Sequence, residues 1–420
     1  MRRRVVVSFL GVLLAVLLAA TAAQSRGNAG SPITIAWIGD MSGPTVGAQL
    51  PVLHGIQTYV KMINDKGGVK GHPINLLAMD DGYQPAKELE LVKTAINDDH
   101  AVLITGIGNS SGFASILPVL NSAHVAGLSN QGTLKSNSWP FQPWIFEGNC
   151  NYADQGDVAI AFEMKHLKLK SLKGVKVGVA GIAVASGQEW IQNVSEAVQK
   201  LGGTAVQETL PAAIVNADVQ VQAFQNAGVK FILMHHATTG GIAMLRSMSK
   251  FGLDVPISGS FGVTQNVVFQ TAPYDAVKNF VGTNCFTPPL LAKTKVGKLA
   301  AATGKKYGVS ASDIEQPNFA LGWVNAQMIV EGLKNVKGAY TGLSVRNGLQ
   351  HVKNLDTGGL APNVTLSARC HMAIRSVRPY YYSFPKKTME PVGTYALWAK
   401  YIRNAYAAPG TCGKPRGATG

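Results

Sequence analysis

Residues 33–47 read ITIAWIGDMSGPTVG, and residues 63–85 read INDKGGVKGHPINLLAMDDGYQP. Together they give a short apolar run, a Gly-rich loop, a helical stretch and a second apolar run that ends in two aspartates. The apolar runs lack the alternation of a strand with one face in water, so they predict strands buried on both faces. This order of elements indicates an α/β fold with a parallel sheet.

The same alternation continues along the chain as two similar sets of elements. The first set has predicted strands at 33–38, 73–79, 101–105 and 124–129 and helices at 48–66, 85–98 and 111–122. The second set has strands at 175–180, 204–209 and 231–236 and helices from 151 and at 187–201, 216–228 and 240–252. The repetition predicts two Rossmann-like, doubly wound lobes.

The remaining elements are too poor in strands for a third full lobe. They comprise predicted helices at 294–307, 316–335 and 341–352 and the strand-like HMAIRSV and PYYYSF at 371–384. We expect them to complete the first two lobes, which requires several chain crossings. A length of 420 residues with 46% apolar residues agrees with two hydrophobic cores and excludes a peptide hormone or a disordered regulator.

The N-terminus predicts export. Three arginines, Arg2–Arg4, precede 16 uncharged residues at 5–20, and small residues follow up to Ala23. This pattern is typical of a cleaved secretory signal, and no cysteine at the cleavage point supports a lipid anchor. Removal of residues 1–23 lowers the formal charge from +15 to +12. We therefore expect a secreted or periplasmic protein, with a mobile basic tail at 403–420.

Four cysteines are the candidates for disulfides in an oxidising compartment. They are Cys150, Cys285, Cys370 and Cys412. Two disulfides would allow three pairings, and buried free thiols are the alternative. The wide spacing excludes a compact zinc knuckle.

A G-x-S-x-G motif, GNSSG at 108–112, follows a predicted strand and opens a helix, as a nucleophile elbow does. Ser110 would be the nucleophile of a secreted serine hydrolase. The partners available later in the chain are His235, His236, His351 and His371, with Asp218 or Asp254 to orient the histidine. The alternative is a turn that caps the helix or offers N–H and hydroxyl donors to an anion.

Three polar turns follow successive predicted strands. They are the loop at 41–47, GNSSG, and SNQGT at 129–133. Ligands of open α/β sheets bind at the carboxyl ends of the strands, so these turns predict one wall of a cleft. The candidate lining residues are Thr45, Ser110, Ser111, Gln131, Gly132 and Thr133.

We expect no cofactor and no metal. The adjacent His235 and His236 would point to opposite faces of a strand, as would Asp80 and Asp81 if their strand extends that far. No phosphate-binding loop pattern is present. The basic residues form no dense run after Arg2–Arg4, which gives no indication of nucleic-acid binding.

The order of these pieces resembles the periplasmic substrate-binding proteins of branched-chain amino acid ABC transporters, the Leu/Ile/Val-binding family with the type I periplasmic binding fold. The resemblance covers residues 33 to about 402. It depends on the two stretches quoted first, on the GIGNSSG and SNQGT turns, and on NYADQG at 151–156 and GGLAPNVTLS at 358–367.

The resemblance implies two lobes joined by three crossings, which close around a ligand. Lobe 1 would comprise 33–149 plus 284–369, and lobe 2 would comprise 150–283 plus 370–402. Cys150, Cys285 and Cys370 then fall at or beside the crossings, so we predict at least one disulfide near the hinge.

The resemblance also implies a set of ligand-binding residues. The ligand carboxylate would be held by Ser110, Gln131, Gly132 and Thr133. The tyrosines and glutamate that hold the ammonium of an amino acid are replaced here by Ser186, Ala237 and Phe261. An ammonium would lose its counter-charge and its acceptors. We therefore expect a carboxylate or amide with an apolar or aromatic body, packed on Phe261, with polar contacts from Ser186, His236 or Thr238.

These observations predict a monomeric solute-binding protein, not an enzyme, that delivers a small organic ligand to an ABC permease. Besides the serine hydrolase, a ligand-sensing subunit of the same fold that feeds a receptor is the alternative.

Overall fold

A computed structural model of the chain describes residues 30–133, 141–402 and 412. Two sheets organise these residues. The first contains β1 (Ile33–Gly39), β2 (Ile74–Asp80), β3 (Leu103–Gly106), β4 (Ala126–Ser129) and β5 (Ile145–Glu147). The second contains β6 (Lys176–Ile182), β7 (Thr204–Leu210), β8 (Phe231–His235), β9 (Ile257–Gly259), β10 (Phe280–Asn284), β11 (Arg378–Ser383) and β12 (Thr388–Pro391). Each sheet with its packed helices is called a lobe below.

Fourteen helices are present among the described residues. Those between the strands of the first sheet are α1 (Val46–Asn64), α2 (Pro85–Asn97) and α3 (Phe113–Ala123). The next six are α4 (Tyr152–His166), α5 (Ala185–Lys200), α6 (Asp218–Ala227), α7 (Thr238–Phe251), α8 (Asn266–Thr271) and α9 (Tyr274–Val277). The last five are α10 (Lys295–Lys306), α11 (Ala311–Ile314), α12 (Pro317–Asn335), α13 (Gly342–Gln350) and α14 (Tyr395–Ala399). No described helix is long and apolar enough to cross a membrane.

The local sequence explains several helix ends. Pro85 occupies the first turn of α2, where a missing N–H costs no hydrogen bond. Asn151 caps α4, because its side chain accepts a bond from the Asp154 N–H at 2.8 Å. Helices α6 and α7 end at Gly228 and Gly252, which adopt left-handed φ values of 68° and 66°.

The first sheet is parallel throughout, with strand order β2-β1-β3-β4-β5. The second has the order β12-β11-β10-β9-β8-β6-β7, and its first five strands in sequence, β6–β10, are parallel. The predicted α/β fold with two doubly wound lobes is therefore confirmed. The sequence did not reveal the short strands β5, β9, β10 and β12, because runs of three to five residues carry little periodicity.

Two expectations for the C-terminal strands need correction. Strands β11 and β12 are antiparallel to their neighbours, so the second sheet is mixed rather than purely parallel. HMAIRSV at 371–377 forms no strand. It makes an isolated bridge between Met372 and Glu147, and PYYYSF supplies most of β11. A connection that runs from one sheet to the other cannot pair along its whole length with either of them.

Helices α10, α12 and α13 return to the first sheet. Helix α12 crosses α1 where Gly55 faces the backbone of Phe319, and Gly322 faces the backbone of Val52. A Cβ at either glycine would collide with the facing carbonyl oxygen. Side chains from α12 and from β1 and β3 belong to one buried cluster. The exact lobe boundaries, 33–149 plus 284–369 and 150–283 plus 370–402, stay a prediction.

Two disulfides join the cysteines. Cys150 follows β5 and pairs with Cys285, which follows β10, with a Cα–Cα distance of 6.2 Å. Cys370 pairs with Cys412 at a Cα–Cα distance of 4.8 Å. An asparagine precedes both Cys150 and Cys285, and in each case its Oδ1 accepts a bond from the cysteine N–H at 2.8 Å. The predicted signal at 1–23 and most of the predicted tail at 403–420 lie outside the described residues.

The Cys150–Cys285 disulfide joins two cysteines that are 135 residues apart in the sequence, so it closes a long loop. We expect the double variant Cys150→Ser, Cys285→Ser to lose about 2–5 kcal/mol of unfolding free energy, because the bond restricts the unfolded chain. Denaturant unfolding of oxidised wild type and variant would measure this. Equal stability of the two, or peptide mapping that finds both thiols free in the wild type, would contradict the expectation.

Candidate ligand-binding cleft

The carboxyl ends of the parallel strands in the two sheets face a common cleft. The cavity leaves about 60 Å³ in which the centre of a water molecule can move. Its walls are Thr45, Ala48, Gln49, Val52, Tyr83, Gly108, Asn130, Gln131, Tyr152, Ile182, Ser186, His235, His236, Ala237, Phe261, Gly262 and Leu321. Both lobes contribute, as the position of the polar turns predicts.

Six of the candidate binding residues line this cavity, and five do not. The lining residues are Thr45, Gln131, Ser186, His236, Ala237 and Phe261. The others are Ser110, Ser111, Gly132, Thr133 and Thr238. These five residues lie beside the cavity. Some of them contact the other lobe, and the others contact residues of neighbouring loops.

Two of those five, Ser110 and Thr238, lie where the lobes touch. The Ser110 Oγ accepts a bond from the Ser186 N–H at 3.1 Å, and Ser110 is only 3% exposed. A Cβ on Gly47 of α1 would lie 2.8 Å from the Thr238 Oγ1 of α7. These contacts join the two walls of the cleft. The structure therefore corresponds to closed lobes.

Ser111, Gly132 and Thr133 serve their own loops. The exposed Ser111 donates its N–H to Asn109 Oδ1 at 3.1 Å. The Gly132 carbonyl accepts the Tyr152 N–H at 2.8 Å, and a Cβ there would collide with the carbonyl oxygen of Cys150. Thr133 is 1% exposed, and its Oγ1 has no hydrogen-bond partner among the described residues.

Sequence reasoning missed Gln49, Tyr83, Asn130, Tyr152 and His235 as cavity residues. Tyr152 lies within NYADQG, but the motif does not indicate the direction of its side chain. Its hydroxyl donates to Gln131 Oε1 at 3.1 Å, and its ring centre lies 4.2 Å from that of His235. It also stacks on Phe261 with ring centres 5.8 Å apart. These contacts place an aromatic wall in the cleft.

The two adjacent histidines have separate partners. His235 Nδ1 lies 2.7 Å from Ser260 Oγ, and its Nε2 lies 3.1 Å from Ser186 Oγ. His236 Nε2 donates to the Pro211 carbonyl at 2.9 Å, while its Nδ1 accepts the Ala237 N–H at 2.9 Å. This pairing leaves no common position for a metal ion.

Both histidines are neutral at physiological pH. Burial, with a smaller contribution from His236, lowers the pKa of His235 to about 3. Burial also lowers the pKa of His236. Burial raises the pKa of Tyr83 to about 12, so its hydroxyl keeps its proton. Because no Asp, Glu, Lys or Arg among the described residues lines the cavity, its described wall carries no formal charge.

The buried Asp40 fixes the loop that carries Thr45. Asp40 Oδ2 accepts both the N–H and the hydroxyl of Thr45 at 2.7 Å. Gln49 Nε2 donates to Thr45 Oγ1 at 2.7 Å, and Gln49 Oε1 accepts the Asp40 N–H at 3.1 Å. Thr45 and Gln49 are therefore held by each other and by Asp40 before any ligand binds.

Asp40, Asp80 and Asp81 lie closer together than the alternation of a strand predicts. One carboxylate oxygen from each lies within 4.8 Å of the others. Strand β2 ends at Asp80, so Asp81 belongs to the following loop. The rule that adjacent strand residues point to opposite faces of the sheet therefore does not hold for this pair. Asp80 Oδ1 accepts the N–H groups of Met41 and Gly82 at 2.8 and 3.0 Å. The oxygens of Asp40 and Asp80 thus have loop donors, which leaves them few lone pairs for a cation.

Asp81 differs from its neighbours. It is fully buried, its Oδ1 accepts the Tyr83 N–H at 2.7 Å, and its Oδ2 has no partner among the described residues. Burial, together with the charges of Asp40 and Asp80, raises the pKa of Asp81 to about 6. The folded protein therefore holds the proton of Asp81 more tightly than the unfolded chain does.

The structure does not bring a serine hydrolase triad together. GNSSG does lie between β3 and α3, but the hydrogen bonds of Ser110 described above involve no histidine. Asp218 pairs with Lys250, and Asp254 lies 3.7 Å from Lys278. His351 and His371 bond to the carbonyls of Asn347 and Ile145 at 2.7 and 2.8 Å.

A sequence model of the family described as periplasmic binding protein matches residues 32–383. The chain belongs to this family. With the type I fold seen above, the predicted solute-binding role is confirmed, and the family is one of binding proteins rather than enzymes. No curated protein matches the chain.

Solved structures share the fold at low sequence identity. A branched-chain amino acid ABC transporter protein from Thermus thermophilus with bound valine has 19% identity and a TM-score of 0.77, covering 88% of this chain and 98% of that one. A fatty acid ABC transporter substrate-binding protein from Thermomonospora curvata has 18% identity and a TM-score of 0.76, covering 88% and 94%. A solute-binding protein from R. palustris in complex with benzoate has 14% identity and a TM-score of 0.74, covering 93% and 99%.

Asp81 should make stability depend on pH. Its folded pKa of about 6 lies above its ordinary value, so its contribution to stability is present below about pH 4 and is lost as the pH rises through 6. We expect Asp81→Asn to raise the unfolding free energy at pH 7 by about 1–3 kcal/mol and to leave it unchanged at pH 4. Denaturant unfolding at a series of pH values would measure this.

Asp80→Asn is the matched control. Partial burial raises the Asp80 pKa, but bonds from Ser42, Met41 and Gly82 lower it more, so its net shift is downward. That variant should lose stability at pH 7. Loss of stability in the Asp81 variant as well would mean that Asp81 is needed in its charged form.

Proposed function

We propose that this protein captures a small organic molecule with an apolar or aromatic body and one carboxylate or amide group, and delivers it to an ABC permease. The observation that carries this proposal is the uncharged wall of the cleft, whose exposed surface is mostly apolar. We further propose that the protein works as a monomer outside the cytoplasmic membrane, after removal of residues 1–23.

The polar side chains of the cleft support a ligand with few polar groups. Gln131 bonds to the Gly108 carbonyl and to Tyr152, and Ser186 bonds to His235. Groups that are already paired inside the protein gain little from an additional ligand contact. Most of the ligand's contact surface would then be apolar, as in other small-molecule sites.

The same wall argues against an α-amino acid. An ammonium in the cleft would face no carboxylate among the described lining residues, and the neutral His235 and His236 add no negative charge. Burial of an unpaired charge costs several kcal/mol. A carboxylate or an amide oxygen is different, because it can be held by neutral donors.

Asn130 is the best-placed neutral donor. It lines the cavity, its Oδ1 accepts a bond from Asn325 Nδ2 at 2.8 Å, and its own buried Nδ2 has no partner among the described residues. A ligand oxygen would satisfy this amide and remove the cost of leaving it unpaired. Phe261 and Tyr152 would pack on the ligand body.

A thermal-shift screen tests the ligand class. We expect aliphatic or aromatic acids or amides to raise the melting temperature, since a ligand at 100 times its Kd adds about 2.7 kcal/mol. Asn130→Ala should weaken binding of the best ligand about tenfold, which corresponds to one lost hydrogen bond. The exposed Asn226→Ala on α6 is the control. Stabilisation by leucine or valine, without any by acids that lack the amine, would overturn the proposed ligand class.

A fluorophosphonate probe tests whether the protein is an enzyme. We expect no labelling of Ser110 or Ser186, because Ser110 bonds to a backbone N–H, and the low pKa of His235 makes it a poor base for Ser186. Mass spectrometry after long incubation would detect any adduct. An adduct on either serine that disappears when His235 is replaced would reject the binding-only function.

A further inference from the structure

The amino ends of the central strands of the second sheet carry a group of lysines that the sequence scatters over more than sixty residues. Strand pairing aligns Lys176 with Thr204, and the Lys230 N–H donates to the Lys176 carbonyl at 2.8 Å. The Leu172 N–H donates to the Leu201 carbonyl at 3.0 Å. These bonds bring three chain segments together. We call the following exposed residues the lysine patch: Lys168, Lys170, Lys173, Lys176, Lys200 and Lys230.

No carboxylate of the described residues forms an ion pair with the lysine patch. None of its six side chains lies within 4.0 Å of a carboxylate of the described residues. The acids nearest in sequence are Glu196, one helical turn before Lys200, which accepts a bond from Gln192 Nε2 at 3.2 Å, and the buried Glu163, which bonds to Ser258 and His166. Further along the same edge of the sheet, Lys278 does have an acidic partner, because its Nζ lies 3.7 Å from Asp254 Oδ1.

The position of the lysine patch leaves the cleft free. Strand β6 begins at Lys176 and ends at Ile182, which lines the cavity. At about 3.3 Å per residue, the patch and the cleft lie about 20 Å apart, at opposite ends of the sheet. A partner seated on the patch would not cover the ligand site.

We propose that the lysine patch docks the exported protein on an anionic phospholipid bilayer. Several lysines from separate segments form one broad cationic surface, and a surface of anionic headgroups attracts each of them without fixed geometry. No large exposed apolar side chain of the described chain lies within 163–176, 199–204 or 226–232, so the attachment is electrostatic and does not insert into the lipid. The protein would be held near its permease with the cleft at the end of the sheet that faces away from the bilayer.

Vesicle co-sedimentation of the protein recovered from the exported fraction tests this surface. We expect binding to phosphatidylcholine vesicles with about one-third phosphatidylglycerol, weaker binding at about 150 mM salt than at about 50 mM, and none to pure phosphatidylcholine. The triple variant Lys170→Glu, Lys173→Glu, Lys200→Glu should bind at least about tenfold more weakly. Replacement of the same three residues by arginine should preserve binding.

The matched control changes three exposed lysines of the first lobe, Lys295, Lys298 and Lys305 on α10, to glutamate. It alters the net charge equally, and we expect less than about a threefold loss of vesicle binding. Equal losses in both triple variants would show that net charge alone is responsible and would overturn the proposal. Binding to heparin but not to vesicles would overturn it too. Ligand stabilisation should be the same in all variants, so failure here is distinct from failure of the proposed function.

Discussion

The close crossing of α1 and α12 is the contact on which the arrangement of this protein depends. Gly55 and Gly322 let the two backbones approach so closely that a single methyl group would separate them. This crossing holds the segment after the second sheet against the first sheet. The chain must therefore leave the first lobe, build the second and return. A hinge between the lobes follows from that path.

The same crossing connects the core to the cleft. At the start of α12, Asn318 donates to the Ala48 carbonyl of α1 at 2.6 Å and accepts from Gln265 of the second lobe at 2.9 Å. One turn further along, Leu321 lines the cavity. A single helix thus packs in the first lobe, touches the second lobe and forms part of the ligand wall. Closure of the lobes and the shape of the cleft are therefore coupled through α12.

The sequence was sufficient for the fold because long buried strands and amphipathic helices carry a strong local signal. ITIAWI and VKVGVA, for example, lie within one or two residues of β1 and β6. It was insufficient for β11 and β12, whose antiparallel pairing depends on where the chain returns. Position at the end of a strand placed Thr45 and Gln131 beside the cavity, which they line, but it could not separate them from Ser110, which contacts the other lobe. Tyr152 and Asn130 could not be predicted, because the direction of their side chains is set by tertiary packing.

The net positive charge of the chain does not extend to the residues that line its cleft. At the carboxyl ends of the second sheet, burial keeps His235 and His236 neutral, and none of the described lysines or arginines lines the cavity. At the amino ends of the same strands, lysines stand in solvent without acidic partners. A charge buried in the cleft would be costly without a partner, whereas a charge at the surface is solvated. The sheet therefore separates an uncharged, mostly apolar end suited to an apolar ligand from a cationic end that can attract an anionic surface through the solvent.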